Sequence, residues 1–135
     1  MAQRVIRPHL SLRFGPMAYD EDLADRVREL LGEEPEVIER SMFGGLAFFV
    51  GGNMAVTVSS RGGVLVRVDP SQSDRLVAAG RAEVAIMRGR RMRGWLRVPP
   101  EYLRTERQLA VWVRRGIDQA RSLPKKRSGG SGSPG

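Results

Sequence analysis

The middle of the chain alternates short apolar runs with glycine-rich breaks. The runs span Leu46 to Val50, Met54 to Val58 and Val64 to Val68. Short runs of β-branched and aromatic residues bounded by Gly, Asn and Ser are typical of strands joined by tight turns. The stretch from Ser41 to Asp69 is therefore predicted to form an antiparallel meander, on which the rest of the chain packs.

Even-numbered positions in this meander are more apolar than odd-numbered ones. They are Leu46, Phe48, Val50, Met54, Val56, Val58, Val64, Val66 and Val68. Because side chains alternate along a strand, these positions share one face only if the connecting loops have odd lengths, such as Gly51-Gly52-Asn53. A two-residue turn would place the even-numbered side chains of the next strand on the opposite face of the sheet.

Helical periodicity flanks the meander on both sides. The first predicted helix, Tyr19 to Leu31, has one apolar stripe, a candidate N-cap at Asp20 and a stop at Gly32. A middle helix, Ser71 to Ala79, follows the Asp69-Pro70 start signal. The last helix, about Glu106 to Ser122, follows a capping box formed by Thr105 and Gln108.

Further strands are predicted at Val37 to Met42, Glu83 to Met87 and Met92 to Val98. The predicted fold class is thus α+β: an antiparallel β-meander sheet of about five or six strands with flanking N-terminal, middle and C-terminal helices. Strand and helix periodicities agree on a core of Leu46, Phe48, Val56, Val66, Leu23, Val27, Trp112 and Val113.

Charge divides the chain into segments. The net charge is +8 over 135 residues, one domain's worth. Residues 1–16 contain three arginines and no acid, and 125–127 are all basic, so residues 17–124 hold only +2. We therefore predict a flexible N-terminal extension over 1–16, one folded domain over 17–124 and a disordered Gly/Ser-rich basic tail over 125–135.

Charge is also segregated inside the predicted domain. Residues 17–39 carry a net −7 and residues 40–124 a net +9. Such asymmetry orients an acidic partner or lets two copies dock through opposite faces, so a homodimer stays open. The alternative is a solvated acidic helix beside an arginine-rich sheet.

Residue types exclude several chemistries. The chain has no Cys and one His, His9, outside the predicted domain, which removes ordinary zinc sites and imidazole or thiolate catalysis. The first predicted helix has an exposed acidic face formed by Asp22, Asp25 and Glu29. The glycine pairs of the meander match no phosphate-binding motif. We predict no catalytic residue, metal ligand or cofactor. No apolar run approaches the roughly 18 residues of a membrane span, so no membrane partner is expected.

The segment RGRRMRGWLR supplies the candidate contact residues Arg88, Arg90, Arg91, Arg93, Trp95 and Arg97. In a regular strand, Arg91, Arg93, Trp95 and Arg97 would share a face, where arginines grip phosphates and the indole stacks a base. In the alternative, Trp95 packs in the core or on the first helix, while the arginines are solvated or pair with its acids.

Four segments carry a family resemblance. They are MAYDEDLADRVRELL from Met17, SMFGGLAFFVGGNMAV from Ser41, VLVRV from Val64 and MRGWLRV from Met92. They resemble the N-terminal domain of the TfoX/Sxy competence regulators, over about residues 17–124. The motif turns contain Met42, Phe43, Gly44, Gly45, Gly52 and Asn53, for which we expect a structural role.

The resemblance implies a bacterial, cytoplasmic α+β domain without assigned catalytic residues. In the two-domain regulators this module precedes a helical domain, and the pair promotes transcription of DNA-uptake genes alongside a cyclic-AMP receptor protein. We expect no second domain after Pro124.

Three functional hypotheses follow. The first is a non-catalytic module that binds a protein partner, such as the transcription machinery. The second is weak, non-specific DNA binding by Arg88 to Arg97 and the basic tails. The third is a small-ligand binder or enzyme of unknown type.

Overall fold

A computed structural model describes residues 19–126 as three α-helices on one face of a six-stranded antiparallel sheet. The helices are α1 (Glu21–Leu31), α2 (Pro70–Ala78) and α3 (Glu106–Ser122), with a 3-10 turn at Pro100–Tyr102. The strands are β1 (Val37–Met42), β2 (Gly45–Val50), β3 (Asn53–Val58), β4 (Val64–Arg67), β5 (Glu83–Met87) and β6 (Arg90–Val98).

The strand order is β1-β2-β3-β4-β6-β5, with every neighbouring pair antiparallel. The α+β prediction is therefore confirmed. The predicted extension over residues 1–16 and the tail from residue 127 onward lie outside the described residues.

The core fills the space between the helices and one sheet face. All eight predicted core residues are buried, from 0% exposure at Phe48, Val27, Val56 and Val66 to 7% at Trp112. Helix α3 lies across β3 and β4, while α2 packs mainly on β6. Burial of apolar area at about 25 cal/mol per Å² is the main favourable term for such a domain.

The helices begin where the capping residues predict. Asp20 Oδ1 accepts hydrogen bonds from the backbone amides of Asp22 and Leu23 at 2.9 and 3.1 Å. Thr105 and Gln108 exchange reciprocal bonds of 3.0 and 2.9 Å, the complete capping box.

The β2–β3 connection differs from the prediction. Val50 pairs with Asn53, so the turn has two residues, Gly51 and Gly52, rather than three. A bulge opposite Phe48 and Phe49 inserts Ala55 as an extra residue in β3 and restores the parity of the strands beyond it.

Met54 consequently leaves the predicted core face. It pairs with Phe49 and lies half-buried on the opposite side of the sheet, where Thr57 Oγ1 donates to its sulfur at 3.1 Å. The odd-length loop that a shared face requires at residues 51–53 is thus not formed, and only the positions beyond the bulge, from Val56 onward, return to the core face.

The segment after α3 docks on the β2–β3 turn. Buried Asn53 donates from Nδ2 to the Pro124 carbonyl at 2.9 Å, and the Lys126 amide donates to the Gly51 carbonyl at 2.9 Å. The predicted tail over 125–135 therefore begins too early, since Lys125 and Lys126 belong to the folded unit.

An ion-pair cluster reinforces this docking. Arg121 bonds Glu34 and Glu36, each at 2.9 Å, and Lys125 Nζ lies 2.6 Å from Glu36. The hydrogen bonds from Lys125, and next from Arg121, lower the pKa of Glu36. We call Glu34, Glu36, Arg121 and Lys125 the C-terminal clasp.

Candidate partner interface

The arginine-rich segment forms the β5–β6 hairpin rather than a single strand after a loop. Met87 pairs with Arg90, which leaves Arg88 and Gly89 as a two-residue turn with φ of 52° and 77°. Positive φ at both positions is the type I′ pattern, which matches the twist of hairpin strands. Arg88, Arg90 and Arg91 are exposed and make no salt bridge within residues 19–126.

Gly94 interrupts β6 and divides the candidate residues into two groups. The β5–β6 register shifts between Val84, which pairs with Leu96, and Ala85, which pairs with Met92. Gly94 has φ of 90° and is buried; a Cβ there would lie 3.2 Å from Pro70 of α2. This close approach and the positive φ both favour glycine.

The predicted single row of Arg91, Arg93, Trp95 and Arg97 is therefore not formed. Arg93 lies 3.9 Å from Asp74 of α2, on the helix-covered side, through a pair of largely exposed groups that contributes little to stability. Trp95 and Arg97 pair with Arg67 and Leu65 of β4 on the other side.

The sheet face that bears Trp95 carries none of the three helices. We call it the open face, defined by Arg40, Phe49, Leu65, Arg67, Trp95 and Arg97. Each of these is at least partly exposed, in contrast to Phe48, Val66 and Leu96 on the core side. The sheet is therefore two-faced, with its second face free of packing by the described helices.

Arg67 has an unusual environment on this face. Its Cζ lies 4.7 Å from the centroid of the Trp95 ring, a cation–π geometry. Partial burial lowers the pKa of the guanidinium, and Arg67 has no carboxylate partner within residues 19–126. A partly desolvated charge without a counter-ion is costly, and an incoming anion would offset that cost.

A second arginine–aromatic pair lies at the far side of the open face. Arg40 of β1 stands 5.5 Å from the centroid of Phe49 on β2. Between the two pairs lie Thr57 and Leu65, which are both partly exposed, whereas Ala47 beside them is buried. The open face therefore presents two arginine–aromatic pairs with the partly exposed Leu65 between them.

Sequence reasoning named Trp95 and Arg97 but missed Arg40, Phe49 and Arg67. The pattern that could have identified the open face is the odd-numbered positions of the meander, where apolar residues occur together with Arg67. An arginine inside the run VLVRV marks the outward face of β4, since a buried charge without a partner is rare.

The alternative in which the arginines of the segment pair with acids of α1 is not what the structure shows. Arg28, which belongs to α1 itself, forms salt bridges with Asp25 and with Glu39, each at 2.6 Å. The hydrogen bond with Glu39 is the main cause that raises the pKa of Arg28. The acid-rich segment is thus partly neutralised internally, and Trp95 lies on the sheet face opposite α1.

The motif turns have structural roles at three positions. A Cβ at Gly45 would collide with the Val58 carbonyl, and one at Gly52 with the Lys126 carbonyl. Asn53 holds the segment after α3, as described above. These positions therefore fix close backbone approaches.

Phe43 is an exception to the predicted structural role. With Gly44 it forms the two-residue β1–β2 turn, and its own φ is 47°. Its side chain is 88% exposed, so it adds little to the core. Met42 is half-buried at the end of β1.

A shallow, open depression of about 310 Å³ lies between the end of α1 and β1–β2. Its polar lining consists of Arg28, Glu34 and Glu39, which already make salt bridges. Within residues 19–126 no group of three His, Cys, Asp or Glu is placed to hold a metal. No helix in that range is long and apolar enough to cross a membrane.

Comparison with known families gives one match. The family model described as the TfoX N-terminal domain matches residues 29–120, well over half of the chain. The match includes all six strands, α2 and most of α3, and so both the hairpin and the open face. No curated protein matches the chain.

Proposed function

The chain belongs to the TfoX N-terminal domain family, and we propose that it is a non-catalytic module that binds an acidic protein partner through its open face. The family resemblance favours a partner within the transcription machinery, met in the cytoplasm during competence regulation. The chemistry of the open face fits a partner whose contacting surface is anionic and partly apolar.

The observation that carries this proposal is the guanidinium of Arg67. It is partly desolvated, stacked on Trp95 and without a carboxylate partner within residues 19–126. A carboxylate brought by a partner would form a charge-assisted hydrogen bond there and restore a counter-ion. Aromatic and arginine side chains are also the residues most enriched at binding hot spots.

Arg97 extends the same site. Its Nη1 donates to the Gly62 carbonyl at 3.3 Å, which places the guanidinium beside Leu65 without a salt bridge within the described range. A partner helix or strand with apolar side chains flanked by Asp or Glu matches this pattern. Long-range attraction would raise the association rate and make binding salt-dependent.

The test is affinity capture from the source cell with nuclease treatment, using the full chain. The double variant Arg67→Ala/Arg97→Ala removes two open-face charges, and Arg107→Ala/Arg114→Ala removes two from the exposed side of α3. We expect one protein to be captured by the wild type and by the α3 variant, and lost with the open-face variant.

Thermal unfolding of both variants shows whether each remains folded. Equal capture by the open-face variant and the wild type would contradict the proposal. If the wild-type chain captures the protein without nuclease treatment but not after it, nucleic acid bridges the two proteins.

A second candidate function is direct nucleic-acid binding by the hairpin. It is favoured by the exposure of Arg88, Arg90 and Arg91 and by their lack of salt bridges within residues 19–126. Such contacts grip phosphates without reading bases, so we expect a Kd of about 10⁻⁴–10⁻⁶ M at physiological salt.

Titration of duplex and single-stranded DNA distinguishes this candidate from the first. The triple variant Arg88→Ala/Arg90→Ala/Arg91→Ala should weaken binding and reduce the salt dependence by about 0.9 per lost phosphate contact. Nanomolar affinity for one sequence, lost in the triple variant, would make the hairpin the functional site and overturn the protein-partner proposal.

A further inference from the structure

Strand β5 is an edge of the sheet with an apolar outer surface. It has β6 on one side and no described strand on the other. Ile86 is 64% exposed and Met87 is 40% exposed. Edge strands normally carry charges, prolines or bulges that prevent pairing, whereas a hydrophobic edge invites another strand.

We propose that β5 pairs antiparallel with β5 of a second copy of this chain, giving a continuous twelve-stranded sheet. In the register that pairs all five residues, Ala85 lies on the two-fold axis. Val84 then faces Ile86 of the second copy, and Glu83 faces Met87. This inference is independent of the proposed function.

Charge in the two edge strands distinguishes this arrangement from pairing at the opposite edge. Directly opposed residues in an antiparallel pair lie on one face, so a symmetric register places a residue opposite its own copy. In β1, the two registers that pair five residues oppose Glu39 to Glu39 or Arg40 to Arg40. Like charges directly opposed are destabilising, so β1 resists self-pairing while β5 does not.

The proposed register also gives Ile86 a buried environment. Ile86 lies two residues beyond Val84 and therefore on the same face of β5. Val84 packs against the core of its own copy. Pairing would bring Ile86 beside Val84 of the second copy and extend each core across the junction.

The helices leave room for this pairing. Helix α2 packs mainly on β6, one strand in from the edge. In the paired sheet, β6 and its copy would be three strand spacings apart, about 14 Å. Packed helix axes are about 8–10 Å apart, so the two α2 helices fit side by side.

A five-residue strand contact is small, so the dimer should be weak. We expect a Kd on the order of 10–100 µM, in the range of small transient interfaces. Sedimentation equilibrium of the full chain from about 1 µM to about 1 mM covers that range.

The variant Ile86→Lys places a charge opposite Val84 of the second copy, and we expect it to remain monomeric throughout. Ile38→Lys is the matched control, because Ile38 is 39% exposed on the other edge strand. That control should dimerise like the wild type. Unfolding curves of both variants verify the fold, which exposed positions should preserve.

A charge pair tests the register itself. Met87→Lys would face Glu83 of the second copy and should tighten the dimer about fivefold, since each dimer contains two such pairs. Met87→Glu would oppose two carboxylates and should weaken it by a similar factor. The contact of residue 87 with Arg90 is the same in monomer and dimer, so it cancels.

Three results would overturn the proposal. If the wild-type chain stays monomeric up to about 1 mM, β5 does not pair with its own copy, and a strand from another protein becomes the expected partner of this edge. Dimers abolished by Ile38→Lys and not by Ile86→Lys would assign the interface to β1. Equal dimer constants for the two Met87 variants would exclude this register.

Discussion

Three phenylalanines in one short stretch provide a direct test of which sheet face forms the core. Phe48 is fully buried, whereas Phe49 is half-buried on the open face and Phe43 is 88% exposed in a turn. Replacing each by Ala removes the same side chain from three environments. The three losses should therefore follow burial.

The expected magnitudes come from these environments. Phe48→Ala leaves a cavity in the core and should cost about 3–5 kcal/mol of unfolding free energy. Phe49→Ala loses a half-buried ring and its contact with Arg40, about 1–2 kcal/mol. Phe43→Ala should change stability by less than about 0.5 kcal/mol, as at other exposed sites.

Urea denaturation followed by circular dichroism measures these differences, provided that the m-value is unchanged among the variants. A domain of this size should have a total stability of about 5–15 kcal/mol. Phe48→Ala would then lower the melting temperature by roughly 12 °C or more. Equal losses for Phe48→Ala and Phe49→Ala would refute the assignment of a covered and an open face.

Three further predictions concern the clasp, a turn and a buried hydroxyl. The pKa of Glu36 is lowered by its pairing with Lys125 and Arg121, so this pairing stabilises the fold at any pH above the ordinary pKa of 4.5. That stabilisation is lost as the pH falls through the lowered pKa of the folded state. Glu36→Gln should remove this part of the acid dependence when unfolding is measured over a series of pH values. Phe43→Asn creates the Asn-Gly pair that type I′ turns prefer and should raise stability by about 0.5–1 kcal/mol in urea unfolding. Ser73 Oγ is buried with no hydrogen-bond partner in the described range, so Ser73→Ala should stabilise by about 1 kcal/mol in thermal unfolding.

Each of these has a clear contrary result. Wild type and Glu36→Gln with parallel stability curves below pH 4.5 would show that the clasp does not form in solution. A destabilised Phe43→Asn would mean that the ring has a contact within the chain. A destabilised Ser73→Ala would show that the hydroxyl has a partner.

Elements with a strong local signal could be predicted from the sequence. Asp20, Asp69 and Thr105 cap the helices as predicted, because capping depends on a few consecutive residues. The apolar stripes of α1 and α3 identified the core for the same reason. These features require no knowledge of the rest of the chain.

Features that depend on contacts between distant segments could not be predicted. The bulge at Phe48 and Phe49 and the interruption at Gly94 leave no periodic signal, yet they decide where Met54 and Arg93 lie. The docking of Lys126 on Gly51 joins residues 75 positions apart. Half of the candidate site was identified: β4 and β6 were both predicted as strands, but nothing in the sequence indicated that they pair and so bring Arg67 beside Trp95.

The interruption at Gly94 has a consequence for amide hydrogen exchange. From Gly94 toward the turn, residues 86–91 are exposed, and each strand of the hairpin has one hydrogen-bonded neighbour over residues 85–92. Its amides should therefore open locally and exchange well before those of Val56 or Val66, which exchange only when the core unfolds. Any strand that pairs with β5 would slow exchange only at the alternate β5 amides that point away from β6, so the extent of protection would report how much of the edge the partner covers.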